Sequence, residues 1–385
     1  MSDSYDAIVI GLGGMGSAAV CHLARGGISV VGIDQFHPPH DRGSSHGKSR
    51  IIRQAYFEGV SYVPLVMRAY ELWLQLEVET GQALLSEIGG LMIGNRSSKV
   101  IQGSIRSAQD HHVDHVVLDA EQIRAKFPQF SVDSECVGLY EKKAGVLNPE
   151  HCVRAHLELA SRCGASLRFD DRVISIRGIG MGSPLVVATN SGHCEAERIV
   201  LCGGPWTTEL LTELNIPVIV ERQIMHWFDP GEDIDAFSPS RFPLFVWEHG
   251  DGVVAYGVPG IDGPLGGVKF AFHNGYGMPC TPETISKTVT VEEIELADSY
   301  LRKHIPSLAG KHLESVTCMY TLTPDGHFII DFHPTDNRVV IAAGFSGHGF
   351  KFASVVGEVL AEMTIQGTSK RDLSTFSIHR NMITT

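Results

Sequence analysis

Hydrophobic residues along this chain follow two periods, and the switches between them mark out its elements. "YDAIVI", residues 5 to 10, predicts a short buried strand, "GLGGMG" comes at once after it, and a run of small residues predicts a helix from about Ser17 to Arg25. "ISVVGID" is a second strand, ending in Asp34. From Tyr62 to Thr80 the apolar residues Leu65, Ala69, Leu72, Trp73 and Leu76 recur at helical spacing, with Pro64 suited to the first turn and Gly81 to the stop. "NPEHCVRAHLELASRCG" opens another helix, with Asn148 as cap, Pro149 in the first turn and Gly164 as terminator. A third starts at Thr290, whose side chain with Glu293 fits a capping box.

"PLVVATNSGHCEAERIVLCGGPW" predicts a hairpin around Asn190 to Gly192, its second strand ending at Gly203 and Gly204. Near the C-terminus the order of the beginning returns: "RVVIAA" as strand, "GFSGHG" as turn, "FKFASVVGEVLAEM" as helix. No repeat, low-complexity tract or linker divides the chain. Dinucleotide-type elements at the start, middle and end imply one discontinuous cofactor domain, residues 1–87, 148–218 and 317–385, with a substrate domain, 88–147 and 219–316, inserted between its pieces.

Composition narrows the class. A chain of 385 residues with 43% hydrophobic content buries large cores, and a net charge of −13 argues against a surface built for DNA, RNA or anionic lipid. "MSDSYDAIVI" has no basic stretch before its apolar run, and glycines interrupt the residues after it, so neither a secretory signal nor a membrane span is read. Eight cysteines, at 21, 136, 152, 163, 194, 202, 280 and 318, form no Cys-x-x-Cys pair, which fits free thiols in the cytoplasm.

Gly11, Gly13 and Gly16 satisfy G-x-G-x-x-G between a strand and a helix: the first makes the turn, the second admits a pyrophosphate, the third lets helix and strand pack. Helix-start amides hold the diphosphate, and Asp34 accepts from the adenosine ribose. NAD and FAD both use this unit. A simple NAD dehydrogenase has little need of the second strand-Gly-Gly-x-Trp element or of a C-terminal return to the cofactor, whereas a helix after "GFSGHG" directs its N-terminus at an isoalloxazine ring, so FAD is preferred.

With these residues in place the chain resembles the monomeric sarcosine oxidase family, flavoenzymes that oxidise N-methyl amino acids and include N-methyltryptophan oxidase. The most specific matches are "GSSHGKSRIIRQAYFEG" (43 to 59), "CMYTLTPDGHFIID" (318 to 331) and "AAGFSGHGFKFASVVGE" (342 to 358), and the likeness covers nearly the whole chain. It implies an α/β fold, with a Rossmann-type FAD-binding domain and an α+β substrate domain of mixed or antiparallel sheet, similar to glutathione reductase and D-amino-acid oxidase. It also implies a monomer that needs only a small amino acid and O2 as partners.

The resemblance further implies that Cys318 carries the FAD through a thioether, chemistry that suits a thiolate nucleophile. Gly14, Met15, Gly347 and Gly349 join the other glycines and Asp34 at the cofactor, with His46, Ser49 and Tyr320 near the ring and Val173 on the adenine side. Arg50 and Lys351 are carried over as contacts to the substrate carboxylate, Lys269 as the lysine that assists oxygen, and His273 and Tyr256 as active-site residues. Lys48 and Ser49 stand where relatives often have Asp and Thr, and Ser45 where they have His, which changes charge beside the pocket. Trp247 is expected to alter the room for a substrate side chain.

Sarcosine oxidation to glycine, formaldehyde and hydrogen peroxide is therefore the expected activity, with N-methyltryptophan or pipecolate as bulkier alternatives. An NAD(P) dehydrogenase and a non-catalytic flavin-binding redox module are the rivals from other classes, and the retained cations speak against the second. "HHVDH", His111 to His115, lacks the Glu of a metal-binding helix and reads as a solvated face, so no metal is assigned. Cys152 and His156 are explained by helix packing.

Overall fold

The computed structural model describes residues 3–214, 216–263 and 266–381. Strand β1 (Asp3–Ile10), helix α1 (Gly14–Arg25) and strand β2 (Val30–Ile33) form the first βαβ unit, with β1 and β2 parallel and Ile10 opposite Ile33. The helix begins three residues before the expected Ser17, because the last glycines of the loop already belong to its first turn. Gly192–Leu201 lies parallel on the other side of β1, Ser166–Arg168 parallel beyond β2, and Asp336–Ala343 parallel against the end of Gly192–Leu201. Residues far apart in sequence thus complete one sheet. Its central strands are apolar on both faces, as a sheet covered on both sides requires: all of β2 and Ala7 to Ile10 of β1 are buried.

Antiparallel strands finish the edges. Leu185–Thr189 pairs onto the first half of Gly192–Leu201 and Val173–Arg177 onto Leu185–Thr189, and Ile329–His333 pairs with Asp336–Ala343, giving eight strands. Helices α1, Val63–Thr80, Pro149–Arg162 and Ala353–Gln366 share one large core with this sheet. Gly357 is required there, since a Cβ on it would lie 2.5 Å from that of Ala18.

Local capping follows the sequence. Asn148 accepts from the His151 N–H at 2.9 Å, Thr290 and Glu293 form the reciprocal box, and Gly81 closes its helix at φ +69°. The C-terminal helix differs from expectation in detail: Phe350–Phe352 is a 3-10 turn, and the α-helix runs Ala353–Gln366. Cys152 and His156 sit buried on Pro149–Arg162, and His111 to His115 form the turn after helix Lys99–Asp110.

A nine-stranded sheet makes the second layer, in the order Met278–Pro279, Ile219–Asp229, Val268–Phe272, Val254–Val258, Leu244–Glu248, Gly90–Asn95, Cys136–Glu141, Val116–Asp119, with Lys311–Leu322 along Ile219–Asp229. Only Leu244–Glu248 with Gly90–Asn95 is parallel. Lys311–Leu322, which contains position 317, pairs with Ile219–Asp229 from end to end. A third, three-stranded sheet joins Arg50–Ile52 and Leu85–Glu87 to the two sides of Gly145–Leu147.

Candidate active site

One cavity of about 640 Å3 is lined both by the glycine-rich loop of the first sheet and by strands of the second. Its cofactor end is mostly backbone. Gly11 has φ +85°, and a Cβ there would meet the Cys202 carbonyl at 2.4 Å, while one on Gly16 would fall 1.7 Å from the Gly11 oxygen. Those two glycines are demanded by the fold itself. Gly13 is different, since a Cβ there would find only Ser45 Oγ, at an ordinary 3.5 Å, so its bare side faces the cavity. Gly14 donates its N–H to Ser45 Oγ at 3.0 Å, and Met15 completes this wall.

Asp34 ends β2 at the cavity, buried, with Oδ2 accepting from the Leu12 N–H at 2.7 Å and Oδ1 from the Phe36 N–H at 2.9 Å. These bonds lock the carboxylate to the glycine loop and leave lone pairs for a ribose. Val173 lines the same end beside Ile174 and Asn190. Its strand is an edge hairpin, which brings residues 173 to 190 over the loop.

Side chains build the other end. Cys318 is buried on Lys311–Leu322 and lines the cavity, its Sγ 3.8 Å from the Ser44 carbonyl and 3.8 Å from Arg50 Nη2. Ser44 Oγ donates to the Met319 carbonyl at 2.7 Å, strapping the segment after Gly43 to the cysteine's strand. Arg50 Nη1 donates to the Ser49 carbonyl at 2.8 Å and Nη2 to the Ser44 carbonyl at 2.9 Å. Gly347 (φ +76°) packs on Tyr320, where a Cβ would sit 2.3 Å from the ring, and Gly349 packs on Phe345.

Lys351 Nζ donates to the His348 carbonyl at 2.6 Å and to the Tyr56 hydroxyl at 3.3 Å, and burial brings its ammonium down to about 7. His348 Nε2 faces the Gly326 carbonyl at 3.0 Å, so its Nδ1 is free to accept from Tyr56 Oη at 2.6 Å. His273 Nδ1 lies 3.4 Å from the Tyr320 hydroxyl, and burial lowers its imidazole to about 4. Tyr256 lines the cavity in contact with Tyr320, and burial raises its phenol.

Of the residues singled out from sequence, Lys269 and His46 do not touch the cavity. Lys269 is buried behind Ser49, donating to Gly47 O at 2.8 Å, Ser49 O at 3.0 Å and Ser49 Oγ at 3.1 Å. Burial, then Arg50, drives it toward the neutral form. His46 Nε2 meets the Thr317 carbonyl at 3.0 Å, and burial brings the ring down to about 4. Gly16 packs inside the fold, while Ser49 itself is on the wall.

Two expectations about pocket shape are corrected. Lys48 pairs with Glu314 and lies 4.7 Å over Trp227, outside the lining, so its charge is spent away from the pocket. Trp247 is buried in the second core, stacked on His249 at 5.0 Å, and takes no space from the cavity. Arg53 and Glu58 went unread although both belong to the "RIIRQAYFE" match. They pair at 2.6 Å on the cavity wall, where Arg53 also covers Tyr56 at 4.5 Å. Burial opposes the Glu58 charge, but Arg53, His348 and Lys351 hold its carboxyl down at about 2. An Arg three places past another at a strand end was the available signal.

A backbone cradle for a diphosphate, an acid placed for a ribose, and buried cations beyond them define a dinucleotide-dependent oxidoreductase. The chain belongs to the FAD dependent oxidoreductase family, whose model matches residues 6–363. It is 45% identical over 381 residues to the monomeric sarcosine oxidase of Streptomyces avermitilis, covering 99% of this chain and 98% of the relative. To the N-methyl-L-tryptophan oxidase of Yersinia pestis it is 36% identical over 378 residues, covering 98% and 99%. In fold it is similar to the open form of NikD, an unusual amino acid oxidase essential for nikkomycin biosynthesis, with a TM-score of 0.85 at 22% identity over 98% of each chain. L-proline dehydrogenase from P. horikoshii gives 0.85 at 23%, covering 99% and 98%.

The residues fit FAD. Gly13 leaves its open side to the cavity, Asp34 keeps acceptor capacity at the expected end, and the cavity continues from there to Cys318 and Lys351. Among the described residues, no helix is long and apolar enough to cross a membrane.

Proposed function

We propose that this protein is a flavin-dependent oxidase of small N-methyl amino acids, sarcosine first, with O2 as acceptor. One observation carries the reading: Arg50 and Lys351 line the cavity, and among the described residues neither forms an ion pair with a carboxylate. Glu58 acts on Lys351 only from its own pair with Arg53, and holding cations on a cavity wall without a directly bonded carboxylate is costly, a cost that a substrate carboxylate relieves. Arg53, already paired with Glu58, adds its field to the same seat.

FAD, when bound, would supply the redox chemistry: two electrons and one proton from the C–H beside the substrate nitrogen, with a second proton from that nitrogen, would pass on to O2 and give hydrogen peroxide. The chain's own residues supply position. Lys351 and Arg50 fix the acid, Tyr256 and His273 wall the amine side, and the low basicity of His273 suits it to accept a hydrogen bond rather than carry charge. Glycine and formaldehyde then leave after water hydrolyses the imine. Lys269, through Ser49 and Gly47, is assigned to assist oxygen by its charge. Cys318 is assigned as the thioether attachment, supported by its sulfur on the cavity wall. The first sheet and its helices form the FAD domain and the nine-stranded sheet the substrate domain, in a monomer. Eight free cysteines support a cytoplasmic place.

Met225, Val246 and Val258 give the cavity an apolar wall, which favours a second reading, an N-methyl amino acid with a larger side chain. An anaerobic panel of sarcosine, N-methyltryptophan, pipecolate and proline tests both. Fastest bleaching of the flavin band by sarcosine is expected, and bleaching by none of them overturns the assignment. Acid-denatured protein should keep its yellow colour in the pellet, and a Cys318→Ser pellet should be white.

A further inference from the structure

The segment that carries Ser49, Arg50 and Arg53 has a sheet pairing only three residues long, Arg50, Ile51 and Ile52 against Leu147, Val146 and Gly145. So short an edge pairing does not fix the peptides on either side of it. Buried carboxylates do. Upstream, Glu150 Oε1 accepts from the N–H groups of Gly47 at 2.7 Å and Lys48 at 3.2 Å. Their φ values of +98° and +65° turn successive amides to one side, a backbone nest for an anion. Downstream, Glu141 accepts from the Gln54 N–H at 2.9 and 3.1 Å and from the Ala55 N–H at 2.9 Å. Glu141 and Glu150 flank Gly145–Leu147, so a single stretch of ten residues provides the pairing strand and both anchors.

The same loop gives its carbonyls to Lys269, through Gly47 O and Ser49 O. Its amides point to an anion and its carbonyls to a cation. Neither glutamate lines the cavity. Glu150 Oε2 is buried without a partner, so hydrogen bonding alone does not account for a carboxylate here. The charged and titratable groups around the pair are Arg50, Lys48 and Cys318 beside Lys269, and His46 and Cys152 beside Glu150. Arg50 and Lys48 repel the Lys269 ammonium, and Glu150 is the carboxylate that opposes them.

We propose that Glu141 and Glu150 are positioning residues: together they hang the cationic segment across the cavity, and the charge of Glu150, on the far side of the peptides whose carbonyls take the Lys269 ammonium, works against the loss of its proton. The inference rests on the flavin-oxidase reading and deepens it. Glu150→Gln separates charge from hydrogen bonding, because its amide oxygen still accepts from both N–H groups. Photochemically reduced holoenzyme of this variant is mixed with O2 across pH. The alkaline limb of reoxidation should move to lower pH, with the rate at mildly alkaline pH down about tenfold. Glu150→Asp keeps the charge on a shorter arm, so it should restore the limb while amide exchange at residues 47 and 48 quickens about tenfold.

Both Glu141 oxygens face backbone N–H groups, so whichever way the amide of Glu141→Gln turns its NH2 meets one of them, and exchange at Gln54 and Ala55 should quicken while that at Gly47 stays slow. A Glu150→Gln profile that superimposes on the wild type, or wild-type exchange at both anchors in the Asp and Gln variants, overturns the proposal. Photoreduction needs no substrate, so a wrong substrate leaves the test intact. A wild-type protein without flavin colour would instead remove the oxidase reading, and amide exchange would still judge the anchors.

Discussion

The two ends of the cavity are built from different materials. At the diphosphate end the contacts are peptide groups held by glycines, and Asp34 is itself bound to two amides. At the far end the working groups are side chains: Arg50 and Arg53 come from one segment and Lys351 from another, and Arg53 and Lys351 are buried at a cost in desolvation. Backbone recognition tolerates no added atom, whereas recognition by side chains tolerates change but titrates. The first end should therefore fail by sterics and the second by charge.

The largest effects test the first half of that statement. Gly16→Ala would place Cβ on the Gly11 oxygen at 1.7 Å, so it should cost more than about 3 kcal/mol and yield little folded protein. Gly13→Ala meets only Ser45 Oγ at 3.5 Å, so the polypeptide should fold, with thermal stability near that of colourless wild type, and bind FAD poorly. Thermal melts with and without added FAD distinguish the two. If Gly13→Ala loads FAD as well as wild type, the open side of that residue does not face the diphosphate.

Next come the cations. Lys351→Met should raise KM for sarcosine about a hundredfold, since it removes a buried charged partner of the carboxylate. Arg50→Ala should weaken both binding and flavin reduction, while Lys269→Met should slow reoxidation by O2 and leave reduction less affected. Stopped-flow traces of the two half-reactions resolve these outcomes. Equal losses in both half-reactions for Lys269→Met would remove its special part in the oxygen step.

A smaller effect, and a sharper one, is the pH dependence of the cationic end. Lys351 holds its proton to 10.5 in an ordinary setting and to about 7 here, with burial as the main cause. Between those values the unfolded chain binds more protons than the native one, so this group's share of stability rises with pH across the window. Below about 7 its charge is buried in full. A carboxylate binds the charged form, so the Kd of acetate should be flat from about pH 6 to 7, where acetate is fully ionised, and rise toward tenfold per unit above it. Acetate lacks the amine, whose own ionisation would otherwise overlap. Lys351→Met should flatten the curve, and an unaltered slope in that variant would assign the titration elsewhere.

The same division explains what the sequence made legible. β1, α1, β2 and Asp34 lie within about thirty residues, with the glycines in one short turn between strand and helix, so pattern alone located them. Helix caps at Asn148 and Thr290 are local for the same reason. The cationic end is assembled by pairing across long separations. Ser44 meets Met319 over 275 positions and Lys269 meets Gly47 over 222, which no periodicity records. Family likeness supplied Arg50 and Lys351, but Arg53, Glu58, Tyr56 and His348 need the fold to be seen as neighbours. Lys48 and Trp247 show the converse: adjacency in sequence suggested a part in the pocket, and side-chain direction sent both elsewhere.

The smallest effect supplies the control on which the comparison depends, because general loosening of the fold also lowers activity. Thr290 caps helix Val291–His304, its hydroxyl accepting from the Glu293 N–H at 3.3 Å, and it is absent from the cavity lining. Thr290→Ala should cost about 1 kcal/mol and lower the melting temperature by a few degrees. Glu293 keeps its 2.6 Å pair with buried Arg222, so the helix stays docked. KM, the acetate titration and FAD retention should all match wild type. A shift in any of them at this modest loss of stability would mean that the two ends respond to the fold as a whole, and the contrast between steric and electrostatic failure would not hold.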